Sequence, residues 1–267
     1  MNRIYIFPYV LILTFIYLYV TKPFTFLEVI LALLISTIMV ILFHLVTVFI
    51  QGKYLVYQHK RGKNISREKI FLKINKYLKT VNKFMRIHIR VHNLENYDPN
   101  KTYLITPNHQ SNNDVTVLLD VFKQPVAYVA KAAISKLPLV KDWMALTGSV
   151  FLNRDNLREQ IGVMQEVEQM LNNKESIVLF PEGTRSFKAE MNAFKPGSFK
   201  LALKTKVDIL PITVNNTYKV RKNFPFKATI VDVYIHESIP YEKYKDLKTT
   251  EIAELVQNIV ESKIIYD

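Results

Sequence analysis

From Ile4 to Val20 the chain carries seventeen consecutive uncharged residues, nearly all apolar, and after Thr21-Lys22-Pro23 a second apolar run extends from Phe24 to Ile50, broken only by Glu28 and His44. So few polar positions leave neither run a face for water, which disfavours ordinary core helices and favours a lipid environment. At 1.5 Å per residue the first run is about 25 Å long, slightly short of a hydrocarbon core of about 30 Å. A tight turn at Lys22-Pro23 joins the two runs. Residues 1–50 therefore predict a membrane-anchoring helical hairpin that either crosses the bilayer twice or dips into one leaflet. A secretory signal is disfavoured, because no small-residue cleavage site follows and a second hydrophobic run comes at once.

Beyond Ile50 the composition changes abruptly. Twelve Lys or Arg residues fall between Lys53 and Arg90, against one acid, Glu68. Basic residues flanking apolar helices mark the cytoplasmic side, so the remainder is expected on the cytoplasmic face of the cell membrane. Within residues 51–85, Ile70, Ile74, Tyr77, Leu78, Val81 and Met85 recur at helical spacing, with Lys69, Lys73, Lys76 and Lys83 on a neighbouring face. This basic amphipathic segment lies on anionic lipid, or packs its apolar stripe on the following domain, or does both, with the stripe on the domain and the lysines toward lipid.

Residues 86–267 alternate between strand and helix patterns. Strands are predicted near Met85 to Val91, Thr102 to Thr106, Ala127 to Ala130, Val150 to Asn153, Ile177 to Phe180, Ile209 to Val214 and Ala228 to Ile235. Helices are predicted over Asp114 to Phe122, Pro138 to Thr147, Leu157 to Leu171, Gly197 to Lys204 and Thr249 to Lys263. Such alternation predicts an α/β domain, a mixed sheet flanked by helices. The net charge of +13 would also suit nucleic acid. The hydrophobic hairpin and the lack of a helix-turn-helix, zinc-finger or RNP-type pattern argue against that partner. With no cysteine and no His-Glu-x-x-His pattern among six histidines, neither a disulfide framework nor a metal centre is expected. Oligomeric state is not legible.

Two short stretches carry the chemistry. In Asn108-His109-Gln110-Ser111-Asn112-Asn113-Asp114, a histidine precedes an aspartate by five residues. On one continuous helix these would lie about 140° apart and could not meet, so a loop must bring them together. Gln110 to Asn113 are residues that start helices, which places His109 in a loop and Asp114 in a first helical turn. The carboxylate is then able to hold one imidazole nitrogen and leave the other as a general base. Taken alone, the spacing more often marks a capping histidine with an acid at a helix start. The chain has no Gly-x-Ser-x-Gly elbow and no cysteine.

The second stretch, Phe180-Pro181-Glu182-Gly183-Thr184-Arg185-Ser186, follows the apolar strand Ser176 to Phe180. Loops at the carboxyl ends of such strands hold ligands in α/β sheets. Arg185 is a planar, permanently charged fork suited to phosphate. Glu182 has three roles open to it: pairing with Arg185, accepting a hydrogen bond from substrate, or capping a turn.

Together with Gly148-Ser149-Val150-Phe151-Leu152-Asn153-Arg154 and Ile209-Leu210-Pro211-Ile212, these blocks resemble, in order, the four motifs of the glycerolipid acyltransferases typified by 1-acylglycerol-3-phosphate acyltransferase. Phe194-Lys195-Pro196-Gly197 is similar to that family's Phe-Lys-x-Gly turn. The resemblance covers roughly residues 85–217. It departs at Asp208, where relatives often carry an earlier proline, and after Lys131, where Ala132 and Ala133 replace a nearby acid. The resemblance implies acyl transfer from acyl-CoA or acyl carrier protein to lysophosphatidic acid (1-acylglycerol 3-phosphate), at a membrane that supplies lipid substrate, with no cofactor. It implies His109 and Asp114 as the catalytic pair, and Arg154, Glu182, Gly183, Thr184, Arg185 and Lys131 as substrate-binding residues. Another lysolipid or glycerol 3-phosphate is the alternative acceptor; a non-catalytic basic lipid-binding protein is the more distant rival.

Overall fold

The structure is a computed structural model that describes residues 6–21, 25–63, 65–122, 124–153 and 156–266. The Lys22-Pro23 turn and Arg154 lie outside the described residues. The chain divides into two compact units, Met1–Asn64 and Ile65–Asp267.

In the first unit α1 (Ile6–Val20) packs against α2 (Phe26–Lys60). Thr25 caps α2: its hydroxyl takes the Glu28 amide at 3.3 Å, and its own amide donates to Glu28 Oε2 at 2.5 Å. Ala32, Ser36 and Val40, four residues apart, form the buried stripe of α2, and small side chains there let a neighbouring helix approach closely. Thr14 of α1 donates to Ser36 at 3.2 Å across the pair. The outward faces are apolar: Phe15, Ile16, Ile35, Met39, Leu42 and Phe43 are all exposed. α2 is long and apolar enough to cross a membrane, and α1 is a shorter apolar helix. These surfaces fit a hairpin that associates with lipid. At 35 residues α2 runs on past Ile50, where the apolar run ends, because nothing before Arg61 and Gly62 breaks a helix.

The second unit is built on a seven-stranded sheet of order β1-β7-β6-β2-β5-β3-β4. Its strands are β1 (Ile87–His92), β2 (Tyr103–Pro107), β3 (Ala127–Lys131), β4 (Val150–Leu152), β5 (Ile177–Val178), β6 (Asp208–Asn215) and β7 (Thr229–Ile235). All neighbours are parallel except β6 and β7, so the sheet is mixed, as the strand-helix alternation predicts. Its helices are α3 (Arg67–Phe84), α4 (Asn113–Val121), α5 (Pro138–Leu146), α6 (Leu157–Asn172), α7 (Lys200–Thr205), α8 (Val220–Asn223) and α9 (Thr249–Glu261). Because side chains alternate along a strand, β2 sends Tyr103 and Ile105 into one apolar cluster and Leu104 into another. α3 and α4 contribute Phe71, Val117 and Leu118 to the first, and α6 and α9 contribute Val167, Leu171, Val256 and Val260 to the second.

α3 shows where the apolar stripe of the basic segment goes. Ile70, Phe71 and Ile74 are buried, and Asn75 donates to Leu119 O at 2.6 Å, so the stripe packs on the domain and the lysines stay outside. Regular pairing in β5 ends at Val178, two residues before the expected Phe180. Leu179 N still donates to Ile105 O at 2.9 Å, but Phe180 turns aside and Pro181 has no amide to continue the ladder.

Candidate active site

β2 ends at Pro107, and Asn108 then makes a two-way bond with Val214 of β6. Its Nδ2 donates to Val214 O at 3.0 Å, and its Oδ1 accepts from Val214 N at 2.7 Å. The next residue, His109, is thereby fixed at the carboxyl end of the sheet. Its Nδ1 lies 2.7 Å from Asp114 Oδ2. Asp114, in the first turn of α4, is 0% exposed, and the same oxygen accepts the Ser111 amide at 2.9 Å. Its second oxygen accepts the Thr217 hydroxyl from the turn after β6. A buried carboxylate with each oxygen occupied is held in one orientation. It in turn holds the proton on Nδ1 and leaves Nε2 of a half-buried ring as the free base.

Two further contacts immobilise the imidazole. The Phe180 ring stacks on it with centroids 4.0 Å apart. The His109 backbone amide donates to Glu182 Oε1 at 2.5 Å. Glu182 Oε2 accepts both the amide and the side-chain nitrogen of Asn192 at 2.8 Å. Of the three roles open to it, then, Glu182 is a turn-holding carboxylate that clamps the His109 loop. Burial pushes its carboxyl above the usual range, opposed by the amides of Asn192 and His109. The clamp is doubled by backbone bonds: Ser186 N donates to His109 O at 2.8 Å and Phe187 N to Gln110 O at 3.1 Å.

Arg185 is aimed by the first block. Its Nη1 donates to Asn112 Oδ1 at 2.7 Å and its guanidinium lies 4.7 Å from the Phe187 ring centroid. No carboxylate pairs with it among the described residues, so most of its donors remain for a ligand. Gly183 adopts φ +73°, a left-handed turn, and a Cβ there would come within 2.9 Å of Lys195 Nζ. The ammonium of Lys195 thus lies across the Glu182-Gly183 turn, its amide tied to Pro181 O at 3.0 Å. Thr184 is exposed in the same loop.

Not every expected site residue converges. Lys131 ends β3, on the same edge of the sheet but two strands from β2, a lateral step of about 10 Å. It is exposed. Arg154 falls outside the described residues. Conversely, Thr217, Asn192, Phe180 and Lys195 belong to the site and were not singled out as binding or catalytic residues. Phe180 and Lys195 stood inside recognised blocks, whereas nothing in the sequence marks Thr217, 103 positions from Asp114.

Residues 88–215, which contain every described site residue named above except Thr217, match the acyltransferase family model. Over that stretch, 128 of the 267 residues, the chain is similar to the acyltransferase family. The chain is 34% identical over 163 residues to the 1-acyl-sn-glycerol-3-phosphate acyltransferase of Saccharomyces cerevisiae, covering 59% of this chain and 54% of that one. It is 31% identical over 151 residues to one from Chlamydomonas reinhardtii, covering 55% and 45%. With the Borreliella burgdorferi protein of that name it shares 28% over 180 residues, 67% and 72% of the two chains. The chain spans about half the length of the first two relatives. The crystal structure of the 1-acyl-sn-glycerophosphate acyltransferase PlsC from Thermotoga maritima superposes with a TM-score of 0.66, covering 83% of this chain and 95% of that one at 22% identity. That likeness concerns the fold.

Proposed function

We propose that this protein transfers an acyl chain from an acyl thioester, on coenzyme A or acyl carrier protein, to the free sn-2 hydroxyl of 1-acylglycerol 3-phosphate, forming phosphatidic acid for phospholipid synthesis. We place the catalytic unit at the cytoplasmic face of the cell membrane. The observation that carries the reading is the buried His109-Asp114 pair, with Arg185 anchored to the same loop. An alcohol is a poor nucleophile until it loses its proton. His109 Nε2 takes that proton as the hydroxyl oxygen attacks the thioester carbonyl, and Asp114 stabilises the imidazolium. The tetrahedral intermediate collapses with cleavage of the C–S bond, and the imidazolium returns the proton to the departing thiolate. No acyl-enzyme is needed. Arg185 is assigned to the acceptor phosphate.

The Gly183 amide already donates to Phe180 O at 3.1 Å, so it is not free to stabilise the oxyanion. The Lys195 ammonium across that turn is the cation best placed for the developing charge. Relatives whose names specify 1-acyl-sn-glycerol-3-phosphate as the acceptor support the substrate assignment. The test is release of free thiol from acyl-CoA by purified protein, with and without 1-acylglycerol 3-phosphate. Thiol release that depends on this acceptor is expected. Equal release with another lysolipid or with glycerol 3-phosphate would move the acceptor assignment, and none with any acceptor would refute the enzyme reading.

A further inference from the structure

Away from the catalytic loops, the end of α3 and the segment before β7 share a surface of a different character. Phe84 is 53% exposed and Phe226 is 89% exposed, although both stand on well-held backbone. The Phe84 ring packs against Phe224 with centroids 5.4 Å apart. Arg86 Nη1 donates to Pro225 O at 3.2 Å and to Phe226 O at 3.1 Å. Lys227 N returns to Asn223 O at 2.8 Å. The loop is therefore braced with its largest apolar side chain in solvent, an arrangement that costs free energy unless something covers the ring.

The charge around these rings is predominantly positive. Between Asp208 and Asp232 there is no acid, while Arg221, Lys222 and Lys227 are exposed there, and Lys83 in the last turn of α3 and Arg86 just beyond it close the patch. A cleft of about 560 Å³ opens beside it between α3 and the edge strand β1, lined in part by Lys79, Lys83 and Arg86 and by one acid, Asp120, which lies 3.6 Å from Lys79. Topology fixes where this surface lies. β1 and β7 start side by side, with Ile87 opposite Thr229. β7 runs antiparallel to β6, with Asn215 opposite Asp232, so the starts of β1 and β7 lie at the end of the sheet where β2 and β6 finish. That is the end that holds His109.

We propose that this aromatic and cationic surface is the catalytic unit's own contact with an anionic lipid bilayer, additional to the apolar helices. Exposed rings that insert at the headgroup boundary, among cations of which only Lys79 is paired with a carboxylate within the described residues, are complementary to anionic lipid. The contact turns the catalytic end of the sheet towards the phase in which acyl chains dissolve. Choosing a bilayer over a protein partner rests on the proposal that the substrates are acyl lipids.

The test uses the full chain reconstituted into vesicles of phosphatidylglycerol and phosphatidylcholine, with or without bromine on the acyl chains. Phe226→Trp is compared with Ile161→Trp, also exposed but on α6, each corrected for the buried native Trp143. Bromine should quench the emission of Phe226→Trp and spare Ile161→Trp. Adding Arg221→Glu, Lys222→Glu and Lys227→Glu to Phe226→Trp, or using phosphatidylcholine alone, should remove most of that quenching. Absence of quenching at 226, as a soluble protein partner would give, overturns the proposal. So does equal quenching at both positions, or quenching indifferent to the charge reversal. Turnover is not read, so this result and the chemistry assigned to His109 stand or fall separately.

Discussion

His109 is held from three directions, and each contact sets a different property of the base. Asp114 fixes the tautomer, Phe180 the ring plane, and Glu182 the backbone from which the ring projects. Replacing the base with His109→Ala should lower kcat by about 10²- to 10⁴-fold while the protein stays folded and membrane-bound. Asp114→Asn should fall in the same range, since an amide presents a donor to Nδ1 and favours the wrong tautomer. Initial rates together with circular dichroism check both; more than about a tenth of the activity left in His109→Ala would remove it from the role. Arg185→Ala should raise KM for the phosphorylated acceptor by roughly ten- to a hundredfold, as expected for a charged hydrogen bond of about 1.5 to 3 kcal/mol. Lysine should restore only part, because it keeps the charge and loses the fork. Coenzyme A carries phosphates too, so separate titrations of donor and acceptor decide: a defect confined to acyl-CoA moves Arg185 to the donor site. At this scale the histidine, the aspartate and the arginine were legible, because each is a chemically distinctive residue in a short block. The Thr217 contact to Asp114 was not, since a lone threonine after a strand carries no local signal.

Elements bring these residues together by closing loops over the ends of β2, β5 and β6. The alternation of β2 between two apolar clusters demands helices on both faces, and the apolar runs and helical stripes foretold that arrangement. The strand at Ile177 was legible, but its early end was not, because Phe180 leaves the ladder to stack on a histidine seventy-one positions earlier. On the far side of the sheet, β7 meets β6 and α9 at His236, where Nε2 lies 2.8 Å from Thr213 Oγ1 and the Thr213 hydroxyl donates to Val260 O at 2.6 Å. With that proton committed, the imidazole nitrogen donates to Thr213. Burial, helped by the Lys263 charge, lowers the pKa of His236 to about 4. Its ordinary value near 6.5 holds in the unfolded chain, so the unfolded state binds the extra proton first as pH falls. Stability from this site is present above about pH 6.5 and is lost between there and about pH 4. Urea midpoints in detergent should fall across that window. His236→Gln, which does not titrate, should flatten the fall, and an unchanged slope would show that other groups govern it.

The whole molecule couples an apolar pair of helices to a basic α/β unit with its own two-sided core. Deleting residues 1–64 should release much of the protein from vesicles. What remains bound should need anionic lipid and should dissociate as salt shortens the Debye length from about 10 Å at 0.1 M to about 3 Å at 1 M. Flotation at low and high salt measures this, and full flotation of the truncated chain at high salt would contradict the helices as the main anchor. By itself the sequence determined the apolar hairpin, the basic stretch after it, the α/β class and the order of the four blocks, because composition and periodicity are local properties that every few residues repeat. Only the tertiary structure decided what Glu182 holds, that Thr217 and Asn192 complete the clamp, that Lys195 lies over Gly183 while Lys131 ends two strands away, and that exposed Phe226 shares an end of the sheet with His109. Those facts follow from strand order and direction, and strand order depends on pairings between residues a hundred positions apart that no local pattern encodes.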